Sequence, residues 1–493
     1  MATSGLAQAR PSRPTVVERR ENTQNRDEIS KDSQHRPAYL PSSAASEVTA
    51  LAPFLHSLLA MTHRTPLNDC RPPPRSAARR QARRWLGCAL ALTLGCSSDD
   101  DSSGESTEAA SGTFASWAAS PQDYAEDLPF PGAPLPEPLA FDNQTLRQVV
   151  HLSAGGDALR VQLSNLFGTG SVSFDAAGVA FSQGGAAIDP GSHVPLTFGG
   201  VPQLTLQPGE ERWSDLVSLS IPNEANLAVS VHLGTGPVGN VHALGQQTAY
   251  LAPGNVVSAA TLPAGETQQS YYWLSRIDVG GAAAPQVIVA FGDSITDGFA
   301  SSVDENHRYP NYLSARLTAA TQPPEYSVVN AGISGNRVLT DVIGPSGVSR
   351  FRRDALGQTG VTDVILLLGI NDIGFSGFSP EQEVSAEQIT GGLAEMIDAA
   401  NAAQVRVHVG TLLPFEGTMA PYYSEAGEAK RQAVNAWVRA NADIASVVDF
   451  ELLLQDPSNP AAMLPAYDSG DHLHPNDDGY AAMAGAVDVA AFQ

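Results

Sequence analysis

After residue 285 the chain places five short apolar runs at intervals, with helical patterns set between them. This alternation constrains the fold more than any other feature. The runs occupy 286–291, 326–330, 364–368, 405–409 and 447–450, and the helical patterns fall at 312–320, 386–400 and 425–442. Continuous apolar strands separated by helices pair in parallel, because a parallel neighbour needs a long crossover whose helix then covers a face of the sheet. In such sheets the ligand crevice lies beyond the carboxyl ends of the strands. The expected class is therefore α/β.

Residues 113–277 have another rhythm. Short alternating stretches at 159–163, 204–206, 217–221 and 227–233 are punctuated by Gly155-Gly156, Gly199-Gly200 and Pro208-Gly209. Short strands with regular turn signals predict an antiparallel, sandwich-like β domain without long helices. A chain of 493 residues exceeds one ordinary core. The expected organisation is an extension with an export signal at 1–95, a tether at 96–112, the β domain at 113–283 and the α/β domain at 284–493.

Charge divides the chain as sharply. The first 95 residues hold 14 of the 28 Lys and Arg but 7 of the 52 Asp and Glu, leaving 14 basic against 45 acidic residues from 96 onward. A surface that acidic repels phosphate backbones, so nucleic acid is disfavoured as a partner. The three cysteines, Cys70, Cys88 and Cys96, all precede the folded regions, and no C-x-x-C pair occurs. Neither an internal disulfide nor structural zinc is expected in the folded part.

Residues 71–85 carry six arginines and no acidic residue, and the apolar run 86–94 follows. These are the n- and h-regions of a signal peptide, too short to span a bilayer as a helix. Leu94-Gly95-Cys96 resembles the end of a bacterial lipobox, with Thr93 where leucine is usual. That resemblance implies lipidation of Cys96, attachment to a membrane through it, and export to the bacterial cell envelope or the exterior. The Ser/Asp/Glu-rich stretch behind Cys96 suits a flexible tether. Met61 opens a segment of more ordinary signal-peptide proportions than Met1 does.

The chemistry-bearing residues sit at the ends of the predicted parallel strands. The first strand runs into Gly292-Asp293-Ser294, the second into 330–335 ending at Gly335, and the third into Gly369-Ile370-Asn371-Asp372; Asp471-His472-Leu473-His474-Pro475 lies near the C-terminus. Singly each is ordinary: Gly335 would serve a turn, and Asn371 would cap a helix. Together and in order they resemble the SGNH hydrolases, or GDSL esterases and lipases. The resemblance implies a flavodoxin-like α/β/α domain that hydrolyses esters or thioesters without a cofactor. It casts Ser294 as nucleophile, His474 as base, Asp471 as the group orienting it, and the Ser294 and Gly335 amides with the Asn371 side chain as oxyanion donors.

Elementary chemistry makes the same assignment. A serine hydroxyl needs a neutral imidazole to take its proton. A carboxylate three residues before the histidine reaches the other ring nitrogen and fixes the tautomer. Glycine amides and an asparagine NH2 are neutral donors suited to a developing oxyanion. Asp293 and Asp372 read as structural hydrogen-bonding groups. His472, alternating with His474, faces elsewhere, and His151, His232, His307 and His408 belong to packing or surface.

Rival chemistries fit less well. Asp293, Asp297, Gly298 and Asp304 echo a calcium loop, but Ile295 stands at a ligand position, Asp304 replaces the bidentate Glu, and a strand precedes it. A metal reading of Asp471, His472, His474, Asp477 and Asp478 lacks further ligands and is interrupted by the Pro475 turn. The G-x-S-x-G elbow of the α/β-hydrolases is absent.

Residues 146–156 and 160–168 resemble the β domain that precedes the catalytic one in an SGNH branch related to xylan acetylesterases. Trp117, Trp213, Tyr271, Tyr272 and Trp273 are its candidates for stacking on sugar, set against packing in the interior. The expected function is an exported serine ester hydrolase that removes small acyl groups from carbohydrate. The alternatives are a lipase, lysophospholipase or thioesterase, and, outside enzymes, a surface carbohydrate-binding protein.

Overall fold

The five apolar runs form one parallel sheet. Its strands are β1 (Gln286–Gly292), β2 (Tyr326–Gly332), β3 (Val361–Leu367), β4 (Arg406–Gly410) and β5 (Ser446–Val448), in the order β2-β1-β3-β4-β5. All four pairings are parallel. The structure is a computed structural model that describes residues 112–124, 140–263, 265–281, 284–320 and 326–492. Cys96, the signal segment and the tether before Gly112 lie outside the described residues.

Central β1 is buried from Val287 to Gly292, as a strand covered on both faces must be. The longer helices are α1 (Tyr309–Ala320), α2 (Ala386–Ala402), α3 (Glu425–Ala440) and α4 (Asp477–Ala486). Ser385 and Gln388 close a capping box on α2, and Ser424 accepts the Gly427 amide at the start of α3. The chain steps from β1 to β2 on one side, then returns past β1 to β3 on the other. That reversal opens a crevice at the carboxyl ends of these three strands.

The fifth strand is shorter than its apolar run. Asp449 accepts the Leu452 amide at 3.2 Å and starts a helical turn at Phe450, so the cap overrides the β propensity of the run.

The front region is antiparallel β structure. One sheet joins Thr113–Ala118, Leu274–Gly280, Gly156–Ser164, Glu211–Trp213 and Val217–Ile221. A second is built on Ala140–His151, Asn226–Pro237 and Val172–Phe181. Leu227, Val229, Val231 and Leu233 alternate into the shared core. Among the described residues of this region the one helical element is the 3-10 turn Pro190–Ser192.

The sugar-stacking reading does not hold for four of its five aromatic residues, Trp117, Tyr271, Tyr272 and Trp273, which are buried. Trp273 is fully buried, edge-on to Phe141 and Phe174 at 5.3 and 5.8 Å. Trp117 and Tyr271 pack edge to face at 4.9 Å, Tyr272 is buried, and the Arg160 guanidinium stacks on Trp213 at 4.2 Å. Trp117, Tyr271, Tyr272 and Trp273 fill the interior, while half-buried Trp213 is covered by Arg160.

The two regions pack as parts of one compact unit. Strand β2 is an edge of the parallel sheet, and the front region covers it. The Val328 amide donates to Ser153 Oγ at 2.7 Å, and Ser327 Oγ donates to the Ala115 carbonyl at 2.8 Å. Arg276 donates to the carbonyls of Gly357 and Arg353. An edge that would otherwise offer unpaired main-chain groups is thereby closed.

Candidate active site

Ser294 opens a single helical turn, Ser294–Asp297, directly beyond β1. Asp293 caps that turn by accepting the Ile295 amide at 3.0 Å, which leaves the serine hydroxyl over the strand ends. His474 Nε2 lies 2.8 Å from Ser294 Oγ, and His474 Nδ1 lies 2.6 Å from Asp471 Oδ2. The other Asp471 oxygen accepts the amides of Leu473 and His474 at 2.9 and 2.8 Å. Burial works against the Asp471 charge, but the His474 bond and the two amides outweigh it and hold its carboxyl well below the usual carboxylate range. An ionised Asp471 can only accept, so Nδ1 carries the imidazole proton and Nε2 is left to accept from the serine. The Phe299 ring lies against the imidazole with centroids 4.3 Å apart.

The glycine and asparagine blocks converge on the same crevice. Gly335 has φ +81°, and a Cβ there would stand 2.5 Å from Ile343 Cδ1, so both backbone and space select glycine. Among the described residues no acceptor takes its amide. Asn371 Nδ2 donates to the Asn336 carbonyl at 3.0 Å, one residue past Gly335. Tyr422 donates its hydroxyl to Asn371 Oδ1 at 2.9 Å. The amide is thus fixed with its second N–H unspent by these two bonds. Asn371 caps nothing: Gly369 precedes the turn, and the asparagine lies within it.

Asp293 and Asp372 are buried scaffold. Asp372 accepts the amides of Val338 and Leu339 at 2.7 and 3.2 Å, pinning the segment after Gly335. Burial pushes its carboxyl up to about 6 and that of Asp293 up to about 7. His472 is engaged away from the serine, with its Nδ1 2.6 Å from Asp468 Oδ2. His408 pairs with buried Asp363, His307 with Asp477, His151 with Glu224 and His232 with Asp175.

Two of the carboxylates weighed as metal ligands, Asp304 and Asp477, are occupied by protein donors. Asp304 receives Gln247 Nε2 and the Thr248 amide and hydroxyl. Asp477 receives the Ser302 amide and hydroxyl as well as His307.

Sequence reasoning missed Arg350. Fully buried, it donates to the Gly292 carbonyl at 2.7 Å, the Ala331 carbonyl at 2.8 Å and Asn336 Oδ1 at 2.9 Å. Its guanidinium also stacks on Phe291 at 4.0 Å and pairs with Asp354. One side chain therefore ties the ends of β1 and β2 to the loop bearing Gly335. Tyr422 and Asn336 were missed, and Asp297 was read only as part of a calcium-loop echo, because their partners are distant in sequence; only the position of Asn336, directly after Gly335, gave any signal.

Residues 290–482 match the GDSL-like lipase/acylhydrolase family. The C-terminal domain belongs to that family. It is a carboxylic ester hydrolase.

Among solved structures, a GDSL-like lipase from Bacteroides thetaiotaomicron is 21% identical, covering 42% of this chain and 87% of its own, with a TM-score of 0.31. The aryl esterase of M. smegmatis is 17% identical over 41% of this chain and 95% of its own, with a TM-score of 0.33. A carbohydrate acetylesterase from Sinorhizobium meliloti is 16% identical over 40% of this chain and 94% of its own, with a TM-score of 0.32. No curated protein matches the chain.

Proposed function

We propose that the chain hydrolyses acyl esters through an acyl-enzyme on Ser294, with small acyl groups on carbohydrate as the substrate class. The observation that carries the mechanism is the continuous chain from Ser294 Oγ to His474 at 2.8 Å and from His474 to Asp471 at 2.6 Å. The resemblance of the front domain to that of xylan acetylesterase-related proteins supports the substrate class.

In this mechanism His474 Nε2 takes the Ser294 proton as Oγ bonds to the ester carbonyl carbon. The carbonyl oxygen becomes an oxyanion facing the Ser294 and Gly335 amides and Asn371 Nδ2. Asp471 stabilises the imidazolium. Collapse breaks the bond to the alcohol, which leaves with the proton from His474. Water then gives its proton to His474 and attacks the acyl carbon, and the acid departs as the proton returns to Ser294.

The test is hydrolysis of p-nitrophenyl esters of graded chain length beside acetylated xylan, with organophosphonate labelling of wild type and Ser294→Ala. Acetate release from both substrates, with labelling lost in the variant, is expected. Turnover in Ser294→Ala near that of wild type would overturn the nucleophile assignment. An activity maximum at long acyl chains would replace the carbohydrate reading with a lipase.

A further inference from the structure

His242 belongs to the front domain, on the short strand Asn240–His242, yet it ends inside the catalytic one. Its Nε2 is 3.0 Å from Asp297 Oδ1, and its Nδ1 is 3.0 Å from the Ser120 carbonyl. A carbonyl only accepts, and so does an ionised carboxylate, so both ring nitrogens carry hydrogen and His242 is an imidazolium. Burial opposes that charge, and Arg308 nearby opposes it too. The Asp297 charge and hydrogen bond, with the Ser120 carbonyl, overcome both and raise the His242 pKa. The neighbouring cavity, about 40 Å³, has room for water.

The second oxygen of Asp297 faces the oxyanion loop. It accepts the Ser334 amide at 2.9 Å and the Ser334 hydroxyl at 2.7 Å, immediately before Gly335. Asp297 also closes the turn that begins with Ser294, donating its own amide to the Asp293 carbonyl at 2.9 Å. A single buried carboxylate therefore binds the nucleophile turn, the glycine loop and the front domain. Without a cationic partner its burial would cost several kcal/mol.

We propose that His242 is a positioning residue which, through Asp297 and Ser334, holds the Gly335 amide in its oxyanion-binding orientation. The front domain is then part of the catalytic apparatus. The inference rests on Gly335 as an oxyanion donor.

The test uses the full chain with His242→Ala, His242→Gln, Ser334→Ala and the His242→Gln/Ser334→Ala double variant. Each is assayed for kcat and KM on p-nitrophenyl acetate, for phosphonate labelling rate and for thermal unfolding. Misplacing a catalytic group by about 1 Å costs up to about 10²-fold. His242→Ala is therefore expected to lower kcat by 10-fold or more and to slow labelling in parallel, with KM within about 2-fold of wild type. His242→Gln, which keeps one donor, should fall between, and adding Ser334→Ala to it should cost less than Ser334→Ala costs alone. Folded variants with wild-type kcat, or additive losses, would overturn the proposal. If His242→Ala does not fold, the Gln and Ser334 variants decide. Ser294→Ala separates the two levels: loss of activity there with none in the His242 variants removes this inference and keeps the proposed function.

Discussion

Tyr422→Phe probes the oxyanion site with the least disturbance. The hydroxyl donates to Asn371 Oδ1 at 2.9 Å, and burial pushes its pKa well above the usual tyrosine value, so it stays a donor throughout the working range. The ring is held independently, edge-on to Phe375 at 5.6 Å and to Phe415 at 6.2 Å, so phenylalanine keeps the packing. What disappears is one of two bonds that orient the amide, the other being Asn371 Nδ2 to the Asn336 carbonyl. A neutral hydrogen bond contributes about 1 kcal/mol net, equivalent to roughly 5-fold in rate if all of it orients the donor. Removing the donor itself, as in Asn371→Ala, typically costs about 10²–10³-fold in kcat. Tyr422→Phe should therefore lower kcat about 3–10-fold with KM nearly unchanged. Placed on Asn371→Ala, it should have almost no further effect, because no amide remains to orient. Steady-state kinetics on the four proteins of this cycle supply the check. An equal loss on both backgrounds, or none on either, would refute the orienting role.

Three other outcomes are expected. Asp471→Asn should lower kcat by about 10²–10⁴-fold by favouring the wrong imidazole tautomer, with circular dichroism showing the fold intact; undiminished turnover would remove Asp471 from the mechanism. Arg350→Ala should destabilise the protein by about 3–5 kcal/mol in urea denaturation, since it removes the donor to the buried Gly292 and Ala331 carbonyls and to Asn336 Oδ1, at about 1–3 kcal/mol each, while Asp354 keeps Arg353. For Asp293, raised to about 7, the unfolded chain ionises first, so its contribution is fully present below about pH 4 and is lost as pH rises through 7. The slope is at most about 1.4 kcal/mol per pH unit, and Asp293→Asn should flatten it. Urea midpoints at pH 4.5 and 7 that move identically in both proteins would contradict this.

The parallel sheet was legible because buried parallel strands write themselves as uninterrupted apolar runs. The contact between Asp471 and His474 was legible because a carboxylate three residues before a histidine is a local arrangement. The lateral supports of the site were not. Arg350 reaches the Gly292 carbonyl across 58 residues, Tyr422 reaches Asn371 across 51, and His242 reaches Asp297 across 55. A main-chain carbonyl accepts whatever its side chain is, so such bonds leave no pattern in the partner's sequence. The front aromatic residues show the converse: Trp and Tyr on short strands read alike whether they face sugar or an interior, and here the interior takes Trp117, Tyr271, Tyr272 and Trp273.

The loops that carry the site cannot be fixed by apolar packing alone, because the crevice they border must stay open to substrate. Carboxylates supply the order instead. Asp293 collects the Ile295 amide of the nucleophile turn, Asp297 the Ser334 amide before Gly335, and Asp372 the Val338 and Leu339 amides after it. Their side chains are buried and carry a desolvation cost, which the protein meets in two ways. Asp297 is paired with the His242 ring at 3.0 Å, whereas burial shifts Asp293 and Asp372 toward the neutral form, to about 7 and about 6. The paired carboxylate is the one whose partner arrives from the other domain. Its loss should therefore disturb the oxyanion loop more than loss of Asp293 or Asp372, because Asp297 alone of the three holds the Ser334 amide and hydroxyl together with a side chain of the front region.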